Sequence, residues 1–367
     1  MSLSRAIGLM SGTSLDGIDI AFLETDGEVQ VRLGSFATRP YAEAERRLLR
    51  AALADARNLT DAASRPGILP QAEAFITRAH AEAVQGFCRE RGLELGSIDL
   101  IGFHGQTVLH RPEAGLTVQI GDGQELAAVL GRPVVFDFRS VDVAAGGQGA
   151  PLVPVFHRAL ARGTDLPPDV AFLNLGGVGN ATILSGDDGL IACDTGPANA
   201  LLDDFVLART GAPFDADGAL AASGTPDEAL LGRWLGHAFF DQPPPKSLDR
   251  NAFDVTGVET LSDADGAATL TAFTARSVAR LLPHLKTPPK LWIACGGGAH
   301  NRTLLSMIEK CLGAEIRAAD EFGWDAGAIE AQAFAYLAVR SARGLPMTYP
   351  GTTGVSRPLS GGRLVQP

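Results

Sequence analysis

The stretches IGLMSGTSLDGIDIAFLE, from Ile7 to Glu24, and VAFLNLGGVGNATILS, from Val170 to Ser185, decide the fold of this chain. Each places a short glycine-containing turn between two apolar runs, a pattern that predicts a β-hairpin. An ordinary hairpin turn explains either stretch taken alone. Two hairpins of matching form, about half a chain apart, predict a duplicated domain whose turns hold nucleotide phosphates. Glycine lets such turns adopt positive φ and present backbone N–H groups closely.

The sequence lacks the two commonest nucleotide-binding motifs. No Gly-Lys dipeptide occurs, so a GxxxxGK[ST] phosphate loop is absent. No complete GxGxxG follows a candidate strand, so a dinucleotide-binding fingerprint is absent as well. The paired hairpins therefore indicate another class of nucleotide-binding fold.

Length and charge narrow the possible functions. The chain has 367 residues, enough for two domains of ordinary size, and its formal net charge is −11. No basic run stands out, which argues against nucleic acid or an anionic membrane surface as a partner. No apolar run approaches the ~20 residues of a membrane span, and the first residues do not resemble a signal peptide.

The cysteines favour a reducing compartment. Cys88, Cys193, Cys295 and Cys311 stand in apolar or helical surroundings, and no two of them form a CxxC pair. Buried reduced thiols fit this pattern, so we expect a cytoplasmic protein. The histidines show no metal-binding spacing, and the ligands of any metal stay unassigned.

Alternating strand and helix patterns predict an α/β fold with two similar mixed-sheet lobes and a cleft between them. We expect an N-terminal lobe over residues 1–143, a hinge rich in glycine and proline over 144–154, and a C-terminal lobe over 155–349. The remaining residues, 350–367, are predicted to form an irregular tail.

Polar or glycine residues follow four of the predicted strands. They are His104, Gln106 and Thr107 after one strand, Asp137 and Arg139 after the next, Asp194 and Thr195 after a third, and Gly296, Gly297 and Gly298 after a fourth. Ligands of open α/β sheets gather at the carboxyl ends of strands, so four such ends predict the lining of a cleft. Each polar residue taken alone is also typical of a turn or a helix cap.

Two carboxylates and one loop each allow two interpretations. Asp194, between LIAC and TGPAN, is either a turn-forming residue or a general base that activates an oxygen nucleophile. Glu330 is either a solvated helix residue or a substrate ligand. It lies in the last predicted helix, from Ala326 to Arg343, which Asp325 is expected to cap. The loop GGGAHN, from Gly296, either packs on its own strand or lies against an adenosine.

Seven motifs, in this order along the chain, resemble those of a known family. They are MSGTSLDGID, FHGQTV, VQIGD, DFRSVDVAAGGQGAPLVP, NLGGVGN, DTGPAN and CGGGAHN, and they span residues 10–301. The paired hairpins and the later glycine loop resemble the sugar kinase, hsp70 and actin superfamily, whose lobes have the ribonuclease H-like fold. The full set is more closely similar to the anhydro-N-acetylmuramic acid kinase family.

The resemblance implies an enzyme that uses ATP, Mg²⁺ and water. The expected substrate is a small amino sugar, 1,6-anhydro-N-acetylmuramic acid, which arises in peptidoglycan recycling. The enzyme is expected to open the 1,6-anhydro bond and to yield N-acetylmuramic acid 6-phosphate and ADP. The resemblance also implies a homodimer.

The resemblance assigns roles to individual residues, with Asp194 as the catalytic base. The residues expected to bind ATP are Gly12, Thr13, Ser14, Leu15, Asp16, Gly17, Ile18 and Asp19 in the first hairpin, Gly176 and Gly177 in the second, and Gly296, Gly297 and Gly298 in the later loop. The residues expected to face the sugar are His104, Gln106, Thr107, Arg139 and Glu330.

Departures and alternatives accompany this resemblance. Met10 and Asn174 stand where the wider superfamily carries aspartates, which leaves the Mg²⁺ ligands unassigned. Ala198 replaces a glycine of the family motif DTGPGN, which is tolerable if its φ is negative. A plain sugar kinase acting on a free hydroxyl has the same need for a base. A non-catalytic ATP-binding protein of the actin or hsp70 type is the alternative from another class, and no separate peptide-binding domain is visible in the sequence to favour it.

Overall fold

The computed structural model describes residues 2–164, 166–186, 189–248 and 252–367. The chain divides into two compact units. Unit 1 combines Met1–Asp165 with Ala328–Pro367, and unit 2 is Leu166–Gly327. The chain therefore leaves unit 1 once, forms unit 2 and returns.

This division differs from the predicted lobes. Residues 144–154, predicted as a hinge, lie inside unit 1. The last helix, predicted to belong to the C-terminal lobe, and the tail after it also lie in unit 1. The last helix belongs to unit 1 because it packs on strands near the start of the chain, as described below.

The strands and helices follow in chain order. The first segment of unit 1 contains β1 (Ser4–Ser11), β2 (Gly17–Thr25), β3 (Val31–Pro40), α1 (Glu43–Ala56), α2 (Leu69–Arg91), β4 (Leu100–Arg111), β5 (Leu116–Ile120), α3 (Gly123–Leu130), β6 (Val134–Phe136), α4 (Ser140–Ala144) and α5 (Pro154–Arg162). Unit 2 contains β7 (Val170–Leu175), β8 (Val178–Ser185), β9 (Gly189–Pro197), α6 (Asn199–Thr210), α7 (Ala219–Ala222), α8 (Glu228–Trp234), α9 (Asp263–Ala279), β10 (Leu291–Cys295), α10 (Arg302–Leu312) and β11 (Glu315–Ala318). The returning segment of unit 1 contains α11 (Ile329–Ala342), α12 (Pro350–Thr353) and β12 (Arg363–Val365).

Unit 1 is built on a mixed sheet with the strand order β12-β6-β4-β1-β2-β3, and β5 pairs with β4. β1, β2 and β3 form an antiparallel meander, whereas β4 lies parallel to β1 and β6 lies parallel to β4. The first predicted hairpin is therefore confirmed. Its register places Met10 opposite Asp19 beside the turn.

Unit 2 repeats this arrangement with the strand order β9-β8-β7-β10-β11. β7, β8 and β9 form an antiparallel meander, and β10 and β11 extend the sheet in parallel from β7. In both units the first strand pairs with the second on one side and with the fourth on the other. The predicted α/β fold with two similar mixed sheets is confirmed.

Helix α11 lies against the sheet of unit 1 at two glycines. A Cβ atom on Gly8 of β1 would overlap the carbonyl oxygen of Ala331, and one on Gly102 of β4 would overlap that of Phe334. The helix backbone therefore approaches both strands at a distance that only glycine allows. This contact fixes the first turn of α11, which carries Glu330.

Two site predictions misplaced the ends of strands. β4 continues through HGQT, because its second half pairs with β5, so His104, Gln106 and Thr107 lie within a strand and not after it. Asp194 likewise lies within β9, whose pairing with β8 continues as far as Pro197. Asp137 and Arg139 do follow β6, as predicted.

Two predictions near the C-terminus are also wrong. Asp325 does not cap α11, which begins at Ile329; its carboxylate accepts the N–H of Gly327 at 2.8 Å instead. The tail over 350–367 is not wholly irregular, since it contains α12, and β12 pairs antiparallel with β6. Within the described ranges, no helix is both long and apolar enough to cross a lipid bilayer.

The contact between α11 and β4 predicts a strong effect of a single methyl group. We expect Gly102→Ala to lower the free energy of unfolding by about 3 kcal/mol, because the overlapping atom belongs to a helix backbone that cannot move aside. Gly96→Ala is the matched control, since a Cβ there meets no atom within 4 Å. Urea unfolding measures both, and a Gly102→Ala variant as stable as Gly96→Ala contradicts this account of the packing.

Candidate active site

The turn between β1 and β2 carries most of the residues predicted to bind ATP. The N–H of Leu15 donates to the carbonyl oxygen of Gly12 at 3.2 Å and closes the turn. Leu15 has φ 59°, which is uncommon outside glycine, and its side chain is buried in the core of unit 1. The positive φ of this turn thus falls on a leucine anchored by its side chain. Thr13, Ser14 and Asp16 are exposed, Gly12 and Asp19 are half-buried, and Gly17 and Ile18 are buried.

Gln106 of β4 supports this turn, and 0% of its surface is exposed. Its Oε1 accepts a hydrogen bond from the Ser11 hydroxyl at 2.6 Å, and its Nε2 donates to the Gly12 carbonyl oxygen at 3.2 Å. The Ser11 oxygen lies 2.8 Å from the Tyr41 hydroxyl. Since the Ser11 proton is directed to Gln106, the Tyr41 hydroxyl is the donor of that second bond. The amide of Gln106 is thus engaged by the turn.

His104, which is buried, pairs with the half-buried Arg139. Arg139 donates through Nε at 3.1 Å and Nη2 at 2.9 Å to Nε2 of His104. Arginine can only donate, so Nε2 of His104 is the acceptor and Nδ1 carries the proton that bonds the Gly105 carbonyl oxygen at 2.9 Å. Burial, and then the charge of Arg139, hold the pKa of His104 well below its usual value. A neutral imidazole therefore orients a charged guanidinium.

Arg139 stays charged although the protein atoms around it desolvate its guanidinium. Desolvation lowers its pKa to about 10, and the negative charges of Glu330 and Asp142 oppose that shift. Its Nη1 donates to the carbonyl oxygen of Gly149 at 2.7 Å. The guanidinium is therefore held from two sides, by a histidine and by the glycine-rich loop that follows α4.

Glu330 shares an electrostatic environment with two other charged groups of unit 1. Its side chain is exposed, so a ligand can reach it, yet the protein atoms around it raise the pKa of its carboxyl by desolvation. The positive charge of Arg139 opposes this shift, and the negative charge of Asp19 adds to it. The charges of Arg139 and Asp19 thus both act on the Glu330 carboxyl, and that Glu330 and Arg139 face one substrate stays a prediction.

Thr107 of β4 is bonded to the neighbouring strand β5. Thr107 is half-buried, and its Oγ1 accepts a hydrogen bond from Nε2 of Gln119 at 3.2 Å. A cavity of about 590 Å³ lies in this unit, and of the residues predicted to face the sugar it is lined by His104. Its other lining residues include Gln119, Gly121, Asp122 and Asp137.

The second turn, at Gly176 and Gly177, is held by the start of α6. The carbonyl oxygen of Gly176 accepts the N–H of Asn199 at 2.8 Å, and that of Gly177 accepts the N–H of Ala198 at 3.1 Å. Ala198 has φ −125°, and this negative value is what an alanine needs in order to replace the glycine of the family motif. Because a peptide group points its N–H opposite to its carbonyl, the N–H groups that follow both glycines face away from α6. This is the orientation that an anion-binding turn requires.

Asp194 of β9 is half-buried, and hydrogen bonds fix both its backbone and its side chain. Its N–H donates to the Lys246 carbonyl oxygen at 2.9 Å, and its Oδ2 accepts the N–H of Leu248 at 2.6 Å. Burial raises the pKa of Asp194 to about 6, and the bond from Leu248 opposes the shift. A carboxylate with a pKa near neutrality can both accept and release a proton at working pH.

The third glycine loop, after β10, lies against the second hairpin. Gly296 has φ 75°, and a Cβ atom on Gly298 would lie 2.6 Å from Cβ of Leu175. The glycines therefore allow close packing on the end of β7. The structure brings this loop and the second turn together, as the prediction of a shared nucleotide site requires.

A magnesium ion bound together with a nucleotide needs only one or two protein carboxylates, since phosphates and water supply the other ligands. Among the described residues, no group of three or more histidines, cysteines, aspartates or glutamates is arranged to hold a metal ion. Asp16 and Asp19 are the carboxylates in and beside the first turn. These two carboxylates fit a magnesium ion whose other ligands are the nucleotide phosphates and water.

Three residues that hold these segments were not predicted from the sequence. Ser11 and Tyr41 support the first turn through Gln106, and Asn199 supports the second. Asn199 stands in the motif DTGPAN, which could have signalled it. Tyr41 stands at the start of a helix pattern, where nothing in the sequence indicates a bond to a distant strand.

Comparison with known proteins places the whole chain in one group of sequences. The family described as anhydro-N-acetylmuramic acid kinase matches residues 4–367. The anhydro-N-acetylmuramic acid kinase of Methylobacterium nodulans is 57% identical over 373 residues, covering 99% of this chain and 100% of its own length. That of Rhodopseudomonas palustris (strain HaA2) is 56% identical over 366 residues and covers 100% of both chains. That of Azorhizobium caulinodans is 57% identical over 368 residues and covers 99% of both.

The raised pKa of Asp194 predicts that its ionised form destabilises the fold. The unfolded chain releases this proton near pH 3.8 and the folded chain near pH 6, so stability falls as pH rises between these values. We expect Asp194→Asn, which keeps the acceptor for Leu248, to raise the free energy of unfolding by roughly 2 kcal/mol at pH 8. The gain shrinks towards pH 4.

Denaturant unfolding at both pH values measures this difference. Asp265→Asn is the control of opposite sign, because hydrogen bonds from Thr225 and Ser262 lower the pKa of Asp265. That variant loses stability at pH 8. An Asp194→Asn variant that is less stable than the natural chain at pH 8 contradicts the account of Asp194.

Proposed function

The chain belongs to the anhydro-N-acetylmuramic acid kinase family, and from this membership we propose how its residues divide the reaction between them. The chain is a phosphotransferase that acts on anhydro-N-acetylmuramic acid, and the match over residues 4–367 carries this conclusion. In the proposed reaction, water opens the 1,6-anhydro bond and O6 receives the γ-phosphoryl group of ATP. The products are N-acetylmuramic acid 6-phosphate and ADP.

Asp194 is the general base in this proposal. Its carboxylate takes a proton from water as the water oxygen bonds to the anomeric carbon and the bond from that carbon to O6 breaks. The support is its pKa of about 6 together with the fixed geometry that Leu248 and Lys246 impose. Because the departing O6 becomes the nucleophile towards phosphorus, the reaction needs no second carboxylate as a general acid, unlike an ordinary glycosidase.

The glycine turns bind ATP in this proposal. The turn that starts at Gly12 and the turn at Gly176 each present backbone N–H groups, and their carbonyl oxygens are engaged elsewhere in the same unit. Donors of this kind neutralise phosphate charge and orient the phosphoryl group, which is most of what its transfer requires. The loop from Gly296 to Gly298 contacts the adenosine.

Arg139, His104, Thr107 and Glu330 bind the sugar in this proposal. Arg139 is charged, and the neutral His104 fixes its orientation, so it suits an anionic or carbonyl group of the substrate. Glu330 is exposed and accepts hydrogen bonds from sugar hydroxyls. Gln106, first expected among these residues, supports the first turn instead because its amide is buried there.

We assign Mg²⁺ to the phosphates of ATP, with Asp16 or Asp19 as the protein carboxylate. The ion supplies neutralisation of phosphate charge when bound. Because the reaction consumes ATP, we propose that it takes place in the cytoplasm, where it returns a cell-wall sugar to metabolism.

Product analysis in ¹⁸O-labelled water tests the proposed reaction. With ATP and 1,6-anhydro-N-acetylmuramic acid, we expect the label at C1 of the product and the phosphate on O6. Attack opposite the leaving oxygen gives the α anomer before mutarotation, which early NMR spectra detect. Asp194→Asn should slow the reaction by ~10²–10⁴, as loss of a general base does.

Asp265→Asn is the control, because it changes a half-buried aspartate of the same unit that has no part in the proposed reaction. Label missing from C1, or equal rates on free N-acetylmuramic acid, contradicts ring opening and favours a plain sugar kinase. An Asp194→Asn variant with more than about a third of the natural rate rules out Asp194 as the base.

A further inference from the structure

We infer that Asn199 is a positioning residue that sets the second turn and the third glycine loop of unit 2 for nucleotide binding. Asn199 is the first residue of α6 and stands in the motif DTGPAN. The inference rests on the proposed function in one respect, since that function assigns both segments to ATP. Its geometric basis is independent of any reaction.

The backbone of α6 holds the second turn from one side. The N–H groups of Ala198, Asn199 and Ala200 donate to the carbonyl oxygens of Gly176 and Gly177 at 3.1, 2.8 and 3.3 Å. Both carbonyls of the turn are therefore directed towards the helix. The N–H groups of the following residues are directed the other way, as in a turn that binds an anion through its backbone.

The side chain of Asn199 extends this support to the strand before the turn. Its Nδ2 donates to the carbonyl oxygen of Leu175, the last residue of β7, at 2.7 Å. Asn199 also donates its backbone N–H to Gly176, so it bonds the carbonyl groups of two successive residues, Leu175 and Gly176. The peptide planes on both sides of Gly176 are thus fixed by Asn199.

The same side chain lies against the third glycine loop. A Cβ atom on Gly298 would lie 2.9 Å from Oδ1 of Asn199, and one on Gly297 would lie 3.7 Å from its Nδ2. Asn199 therefore occupies the space between the end of β7 and this loop. It couples the segment proposed to hold phosphate to the segment proposed to hold adenosine.

The amide of Asn199 fills this position and donates to the Leu175 carbonyl oxygen. An alanine removes the donor to Leu175 and leaves a gap beside Gly298, whereas a serine keeps a small hydroxyl donor. Asp194 is held by different groups, Leu248 and Lys246, so a change at Asn199 leaves the base in place. We therefore expect a change at Asn199 to affect nucleotide affinity and to leave the binding of the sugar unchanged.

Titration calorimetry with a non-hydrolysable ATP analogue tests the inference. We expect Asn199→Ala to weaken binding of the analogue by about tenfold, and Asn199→Ser to recover part of that loss. In turnover, the KM for ATP rises with the calorimetric Kd, while the KM for the sugar stays within about twofold. Asp227→Ala is the stability control: it removes the side chain that caps α8 through Leu230, so it lowers the thermal midpoint without changing nucleotide affinity.

Unchanged affinity for the analogue in a folded Asn199→Ala variant overturns the inference. So does an equal rise in the KM values for ATP and sugar, which indicates a merely structural role. If Asn199→Ala does not fold, the affinity of Asn199→Ser for the analogue is the test. An affinity equal to that of the natural chain overturns the inference. Binding of the analogue does not depend on turnover, so a natural chain that binds it without making phosphorylated sugar refutes the proposed function alone.

Discussion

The contact of helix α11 with Gly8 and Gly102 is the constraint on which the candidate sugar site of unit 1 depends. A helix backbone packed directly on two strands leaves no room for a side chain, so its position along the sheet is fixed. The ring of His104 contacts that of Phe334 in the same helix, with centroids 4.6 Å apart and the ring planes tilted by 49°. A segment from the end of the chain thereby orients the histidine that holds Arg139, and it carries Glu330 as well.

The two hairpins share one physical design. In each, groups of the same unit engage carbonyl oxygens of the turn, through Gln106 and the N–H of Leu15 in unit 1 and through the N–H groups of α6 in unit 2. Planar peptide groups then direct the neighbouring N–H groups away from those partners. Turns held in this way are organised before a ligand arrives, so the proposed binding of phosphate does not have to order them.

The sequence predicted the parts of the fold that local patterns determine. Both hairpins and the two similar mixed sheets were predicted from apolar runs with glycine turns, and the family resemblance is confirmed by the match over residues 4–367. The membership of α11 in unit 1 was not predictable, because it depends on contacts between residues about 230 or more positions apart. The burial of Gln106 was missed for a similar reason, since pairing with β5 extends β4 beyond its apolar run.

The central claim is that Asp194, with its raised pKa, is the base that activates water. The pH dependence of kcat/KM for the sugar tests this claim most directly, because it reports ionisations of the free enzyme. The account predicts a tenfold fall per pH unit on the acid side of an inflection near the Asp194 pKa of about 6, with a plateau above it. An inflection near the value of an exposed aspartate, about 3.9, or no acid limb at all, contradicts it.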